Sequence, residues 1–167
     1  MEIGNREAAV LVALFALLCL TVILNHQPIV LATKMYLIKS EMRDSPLLEE
    51  VAEIVRERCE GYEPKDLCYV TEAFDWVEEN VKYRHDSWLE EFFFLNNDVN
   101  YTYHNGNDCE GRAVFLADLL KHLNVSKVYI ALQGGDVLHA CVLVDRGGFL
   151  LALNCHGGDY IYVERVV

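Results

Sequence analysis

The sequence predicts an α+β protein in which an apolar N-terminal helix, read as a transmembrane anchor, precedes one domain with its helices first and an antiparallel sheet after them. Three observations carry this. Ala8 to Leu24 is a run of seventeen residues in which only Thr21 is polar. From Ser45 to Leu123 apolar residues recur at intervals of three and four. Beyond Val125 the pattern changes to short runs rich in β-branched and aromatic residues, punctuated by Gly134-Gly135, Gly147-Gly148 and Gly157-Gly158.

At 167 residues the chain has room for one domain with appendages, and a hydrophobic fraction of 53% is high beside a net charge of −12. The apolar excess sits at the N-terminus. Seventeen helical residues rise about 26 Å, the short end of what spans a bilayer, and the run has no polar face. Glu2 and Glu7 in the leading segment, and the lack of a small-x-small site after it, speak against a cleaved signal. The expected organisation is therefore a tail and anchor over 1–27, a juxtamembrane linker over 28–44 and the domain over 45–167, in a single-pass membrane protein. Lys34, Lys39 and Arg43 against Arg6 would keep the domain inside. The Cys59/Cys68 pair and the sequons Asn100-Tyr101-Thr102 and Asn124-Val125-Ser126 favour an extracytoplasmic domain, and that side is the one expected. The acidic balance, with no basic stripe, argues against nucleic acid.

Ser45-Pro46 is an N-cap followed by proline at the first helical position. Leu47, Leu48, Val51, Ile54 and Val55 form the stripe, and Gly61 ends it. Asp66 is expected to cap the next helix, striped by Leu67, Val70, Phe74, Val77 and Val81. Trp76 lies off that stripe, either covering a neighbouring helix or walling a cleft. Ser87-Trp88-Leu89-Glu90 has the form of a capping box opening a short helix through Phe92, Phe93 and Phe94. Asn96 to Asn107 reads as a loop, with Tyr101, Tyr103 and His104 as candidate groove residues. Asp108 then caps a helix carrying Val114, Ala117, Leu120 and Leu123, which places Cys109 near its first position. Strands are expected over Lys127 to Gln133, Leu138 to Asp145, Phe149 to Asn154 and Tyr160 to Val166, in a meander. If Arg146-Gly147 are the centre of a two-residue turn, paired positions sum to 293 and His139 faces Asn154.

A cysteine at a helix N-terminus is favoured as thiolate, because the first-turn N–H groups stabilise a negative sulfur. A thiol nucleophile also needs a base and a group that fixes the base's tautomer. Cys109, His139 and Asn154 are the candidates. Asp108-Cys109 opening a helix, His139-Ala140 opening a strand and Asn154 fifteen residues on, with Phe74-Asp75-Trp76-Val77-Glu78-Glu79-Asn80-Val81-Lys82-Tyr83 upstream, resemble the transglutaminase-like superfamily of papain-related thiol enzymes. The likeness spans residues 66 to 165. Gly106-Asn107 stands where that family has one Gly, Cys141 where it has Trp, and Asn154 where it has Asp, as papain-type enzymes have Asn. The resemblance implies a papain/transglutaminase-like domain, a cysteine hydrolase or acyltransferase that attacks amide bonds of a protein or peptide substrate through a thioester, with a peptidase or amidase favoured over a cross-linking enzyme, and with no cofactor. Substrate contacts are expected from Tyr103 and Trp76, and Tyr103 is also a candidate oxyanion donor beside the Cys109 N–H. Two other readings are an inactive membrane-tethered binding module of the same fold and a zinc site built from His139, Cys141, Cys155 and His156.

Overall fold

The computed structural model describes residues 5–24, 26–43, 45–87, 90, 98–134 and 138–167. Their helices are α1 (Asn5–Leu24), α2 (His26–Glu41), α3 (Pro46–Arg58), α4 (Lys65–Asn80), α5 (Val99–Asn105) and α6 (Cys109–His122). The strands β1 (Val128–Gln133), β2 (His139–Asp145), β3 (Leu150–Leu153) and β4 (Tyr160–Arg165) follow, so the α+β order of helices before an antiparallel sheet is observed. The chain divides into two compact units, one ending at Lys34 and the other spanning Met35–Val167. The segment expected as a linker over 28–44 is thus largely helical.

The transmembrane anchor is not retained. Among the described residues no helix is long and apolar enough to cross a membrane. The first three residues of α1, Asn5, Arg6 and Glu7, are polar, which leaves seventeen apolar-run residues and about 26 Å against a hydrocarbon core of about 30 Å. α2 carries Lys34 and Lys39 inside its length. The expected single-pass placement falls with the anchor. Val10, Leu11, Val12, Leu14, Phe15, Leu17 and Leu20 of α1 are each more than half exposed.

In the second unit α6 is the centre, touching α3, α4, α5, β1 and β2. Every residue from Cys109 to Leu120 is buried, including Phe115, Leu119 and Leu120 at 0% exposure. Each such large side chain contributes roughly 1.5–3 kcal/mol relative to an exposed one. This explains why α6 has no polar face to display: helices lie on one side of it and the sheet on the other. α3 begins as its sequence indicates, with the Ser45 hydroxyl accepting from the Leu47 N–H at 3.3 Å. α4 begins two residues earlier than expected, capped by Pro64 instead of Asp66. Cys59 and Cys68 form a disulfide that ties the end of α3 to the start of α4. The capping box is present, with the Ser87 N–H donating to Glu90 at 2.9 Å and the Glu90 N–H to the Ser87 hydroxyl at 3.4 Å. The helix expected through Phe92 to Phe94 lies outside the described residues.

The sheet order is β3-β2-β1-β4. It is not a simple meander, because β4 crosses over to pair with β1. The β2–β3 register pairs Asp145 with Leu150 and Val142 with Leu153, so paired positions sum to 295 and not 293. The reason is glycine chemistry. The turn is centred on Gly147-Gly148, Gly147 adopts φ +72°, and the Arg146 N–H donates to the Phe149 carbonyl at 3.0 Å. A two-residue hairpin turn needs positive φ at its first central residue, and an Arg146-Gly147 turn would have asked that of arginine.

Candidate active site

Three chain segments meet at the N-terminus of α6. Asp108 caps the helix as expected, its carboxylate accepting from the Glu110 N–H at 2.8 Å, so Cys109 is the first helical residue. The Ala140 N–H, on the residue after His139, points at Cys109 Sγ from 3.5 Å. Residues 82–84 run parallel to the approach: the Asn107 N–H donates to the Lys82 carbonyl at 3.1 Å and the Arg84 N–H to the Asn107 carbonyl at 2.9 Å. Gly106, at φ +73°, permits this approach, since a Cβ there would stand 2.7 Å from the Lys82 carbonyl oxygen. Gly111 is required for a different reason. The buried Asn107 side chain lies across the first turn of α6, held by Thr102 at 3.0 Å and by the Asp108 N–H at 2.8 Å, and a Cβ at 111 would run into it.

These segments enclose a pocket of about 830 Å³ whose wall includes Tyr83, Asp86, Cys109, Glu110, His139 and His156. Cys109 is 6% exposed and takes no part in either disulfide. His139 Nε2 lies 2.6 Å from the Asn154 carbonyl oxygen. A carbonyl only accepts, so Nε2 carries the proton and Nδ1 is left as the ring's acceptor.

Asn154 therefore stands beside His139, but through its main chain. It ends β3 at φ +58°, in the left-handed region that asparagine tolerates better than most residues. Its neighbourhood is a different, small cavity shared with Glu78, Arg112 and Leu153. The expectation that the Asn154 amide would orient the base from a directly opposed position is corrected: the ladder is two positions out of that register, and the carbonyl does the accepting. The ring that does stand beside His139 is that of His156, with 4.1 Å between the centroids.

Trp76 and Tyr103 do not line the pocket. Trp76 is 6% exposed, stacked on Tyr103 at 6.0 Å and on Phe115 at 5.7 Å, so both residues serve packing between α4, α5 and α6. The loop expected over Asn96 to Asn107 contains α5, capped by Asp98 accepting from the Tyr101 N–H at 3.0 Å, and this turns Tyr101 toward Glu90. The zinc reading is also removed, because Cys141 and Cys155 are bonded to each other and neither offers a thiolate. No group of three or more metal-binding side chains occurs among the described residues.

Tyr83 is the residue that sequence reasoning passed over. It closes the upstream Phe74–Tyr83 segment, and its position after α4 gave no sign that residues 82–84 return beside Cys109. The Arg112 guanidinium lies 6.0 Å from its ring centroid and is itself held by Glu78 at 2.6 Å. Partial burial, then the negative charge of Cys109 and Asp108, push the Tyr83 hydroxyl above the usual phenol range, offset in part by Arg112. It stays protonated, and so a donor, at neutral pH. Below it Arg84 grips Glu90 through both terminal nitrogens at 3.0 Å. That pair, with the Ser87 N–H, holds the Glu90 carboxyl far below the ordinary carboxylate range.

Asp86, Asp108 and Glu110 give the pocket an acidic wall. Such a wall disfavours a thiolate but favours an imidazolium, so charge separation between Cys109 and His139 depends on the imidazole being close. Searches against models of protein families, curated proteins and solved structures found no match for this chain.

Proposed function

We propose that the chain is a thiol hydrolase of the papain and transglutaminase-like kind, acting on amide bonds of a peptide or protein. The observation that carries the reading is the meeting of three features in one pocket: a thiol at the first position of a buried helix, an imidazole fixed as its Nε2–H tautomer, and a cleft of about 830 Å³ for a substrate. In the proposed reaction His139 Nδ1 takes the Cys109 proton and the thiolate attacks the amide carbonyl carbon. The imidazolium returns the proton to the departing amine as the C–N bond breaks, leaving a thioester. Water then attacks with His139 again as base, giving a carboxylic acid and restoring the thiol. The Cys109 N–H and the Tyr83 hydroxyl are the proposed oxyanion donors.

The test is incubation of the full chain with a panel of peptide amides and activated peptide esters, read by intact mass. An acyl adduct on wild type that is absent from Cys109→Ala supports the reading, and consumption of the adduct by water in the presence of a competing amine favours hydrolysis over transfer. Failure to acylate with any activated ester would overturn it.

A further inference from the structure

We infer that the Cys141–Cys155 disulfide is a reducible brace that holds His139 in its working tautomer, so that the site is active only in the oxidised protein. This rests on the function proposed above, since it concerns the regulation of the same site.

The argument begins where the ladder stops. The last β2–β3 pair is Val142 with Leu153, so no ladder hydrogen bond ties residues 154–156 to residues 139–141. Yet the groups that surround the base come from there. Asn154 supplies the carbonyl at 2.6 Å and His156 the neighbouring ring at 4.1 Å. The disulfide spans this gap: Cys141 is two residues from His139 on the same strand, and Cys155 lies between Asn154 and His156. Gln133, the ladder partner of His139 on β1, holds the residue after Cys155, accepting from the His156 N–H at 2.9 Å and donating to the Gly158 carbonyl at 3.0 Å, so the disulfide is the brace on the Asn154 side. Asn154 sits in a left-handed conformation, which a non-glycine residue keeps where its surroundings hold it. With the brace open, the carbonyl is no longer held at Nε2 and the ring can exchange tautomers.

The chemistry needs an external dithiol. One thiolate of the dithiol attacks the Cys155 sulfur, which is partly exposed whereas Cys141 is 1% exposed. The S–S bond breaks and the Cys141 sulfur leaves as a thiolate that takes up a proton. The second thiol of the dithiol then displaces Cys155, so two electrons pass to the protein, which gains two thiols, while the reductant becomes a disulfide.

The test uses the full chain carrying Cys59→Ala and Cys68→Ala, so that one disulfide remains, and reads the His139 ring by long-range proton–nitrogen NMR before and after dithiothreitol. Recorded at a pH where the ring is neutral, the oxidised protein should show one Nε2–H tautomer, the reduced protein a mixture, and reoxidation should restore the first. In parallel, Cys141→Ala/Cys155→Ala should lower the rate of Cys109 alkylation at pH 7 by about tenfold or more, because each unit by which the thiol's midpoint rises removes about tenfold of its thiolate. Folding of each form is checked by its thermal transition. A ring tautomer that ignores reduction in a folded protein overturns the brace. A tautomer that responds while Cys109 acylates nothing supports the brace and refutes the hydrolase reading, which keeps the two apart.

Discussion

Replacing Asn154 by glycine, alanine and aspartate separates its side chain from its carbonyl. If the carbonyl at 2.6 Å is what fixes the His139 tautomer, the side chain matters only through its tolerance of φ +58°. Glycine reaches that region freely and should retain kcat/KM to within about threefold. Alanine meets the left-handed penalty of about 1 kcal/mol, which in a domain of this size lowers Tm by about 3–5 °C, but the carbonyl remains in place and turnover per folded molecule should fall little. Aspartate should behave like asparagine. An orienting side-chain amide would give another order altogether: glycine and alanine would both fail, by up to about 10⁴-fold, the scale of loss when a triad loses its tautomer-fixing group. Hydrolysis of an activated peptide ester, normalised by active-site titration and paired with thermal unfolding, distinguishes the cases. Loss of more than about a hundredfold in Asn154→Gly with an unchanged Tm would refute the argument.

Further outcomes are expected elsewhere in the site. Tyr83→Phe should lower kcat by about 10²-fold with little change in alkylation of Cys109 by a small reagent, since it removes an oxyanion donor and leaves the thiol in place. Gly111→Ala should destabilise the domain by about 1–3 kcal/mol in urea unfolding, because the Asn107 side chain it meets is pinned at both ends. Glu90 has a depressed folded-state pKa, so its contribution to stability is complete above the unfolded value of 4.5 and is lost as pH falls below it. Arg84→Gln should accordingly lower Tm at pH 7 and flatten the dependence of Tm on pH below 4.5, a pattern that scanning calorimetry would record.

Much of this architecture was legible because its causes are local. An Asp-Cys pair ahead of an apolar stripe sets a helix start through one side chain and one N–H, and Asp108 and Cys109 fall where that chemistry puts them. Ser45, Ser87 and Glu90 are legible for the same reason. What was not legible depends on which of two equivalent local solutions the rest of the chain selects. The turn expected at Arg146-Gly147 forms at Gly147-Gly148, and that shift of one residue moves the pairing sum from 293 to 295, which takes Asn154 out of the position opposite His139. The β1–β4 pairing, the return of Tyr83 to Cys109 and the Cys141–Cys155 bond are contacts between distant segments that no window of sequence displays. The apolar N-terminal run was read from its composition and a length at the short end of what spans a bilayer, and among the described residues no helix is long and apolar enough to cross one.

The central claim is that Cys109 and His139 form one ionising pair, and the most direct measurement is the rate of iodoacetamide labelling at Cys109 as a function of pH, by peptide mass, in wild type and His139→Ala. The pair predicts a wild-type midpoint below the ordinary thiol value of about 8.5 and a rise in His139→Ala, because the substitution removes the imidazolium that makes thiolate tolerable beside Asp86, Asp108 and Glu110. A wild-type midpoint at or above about 8.5 that does not move in His139→Ala would contradict it.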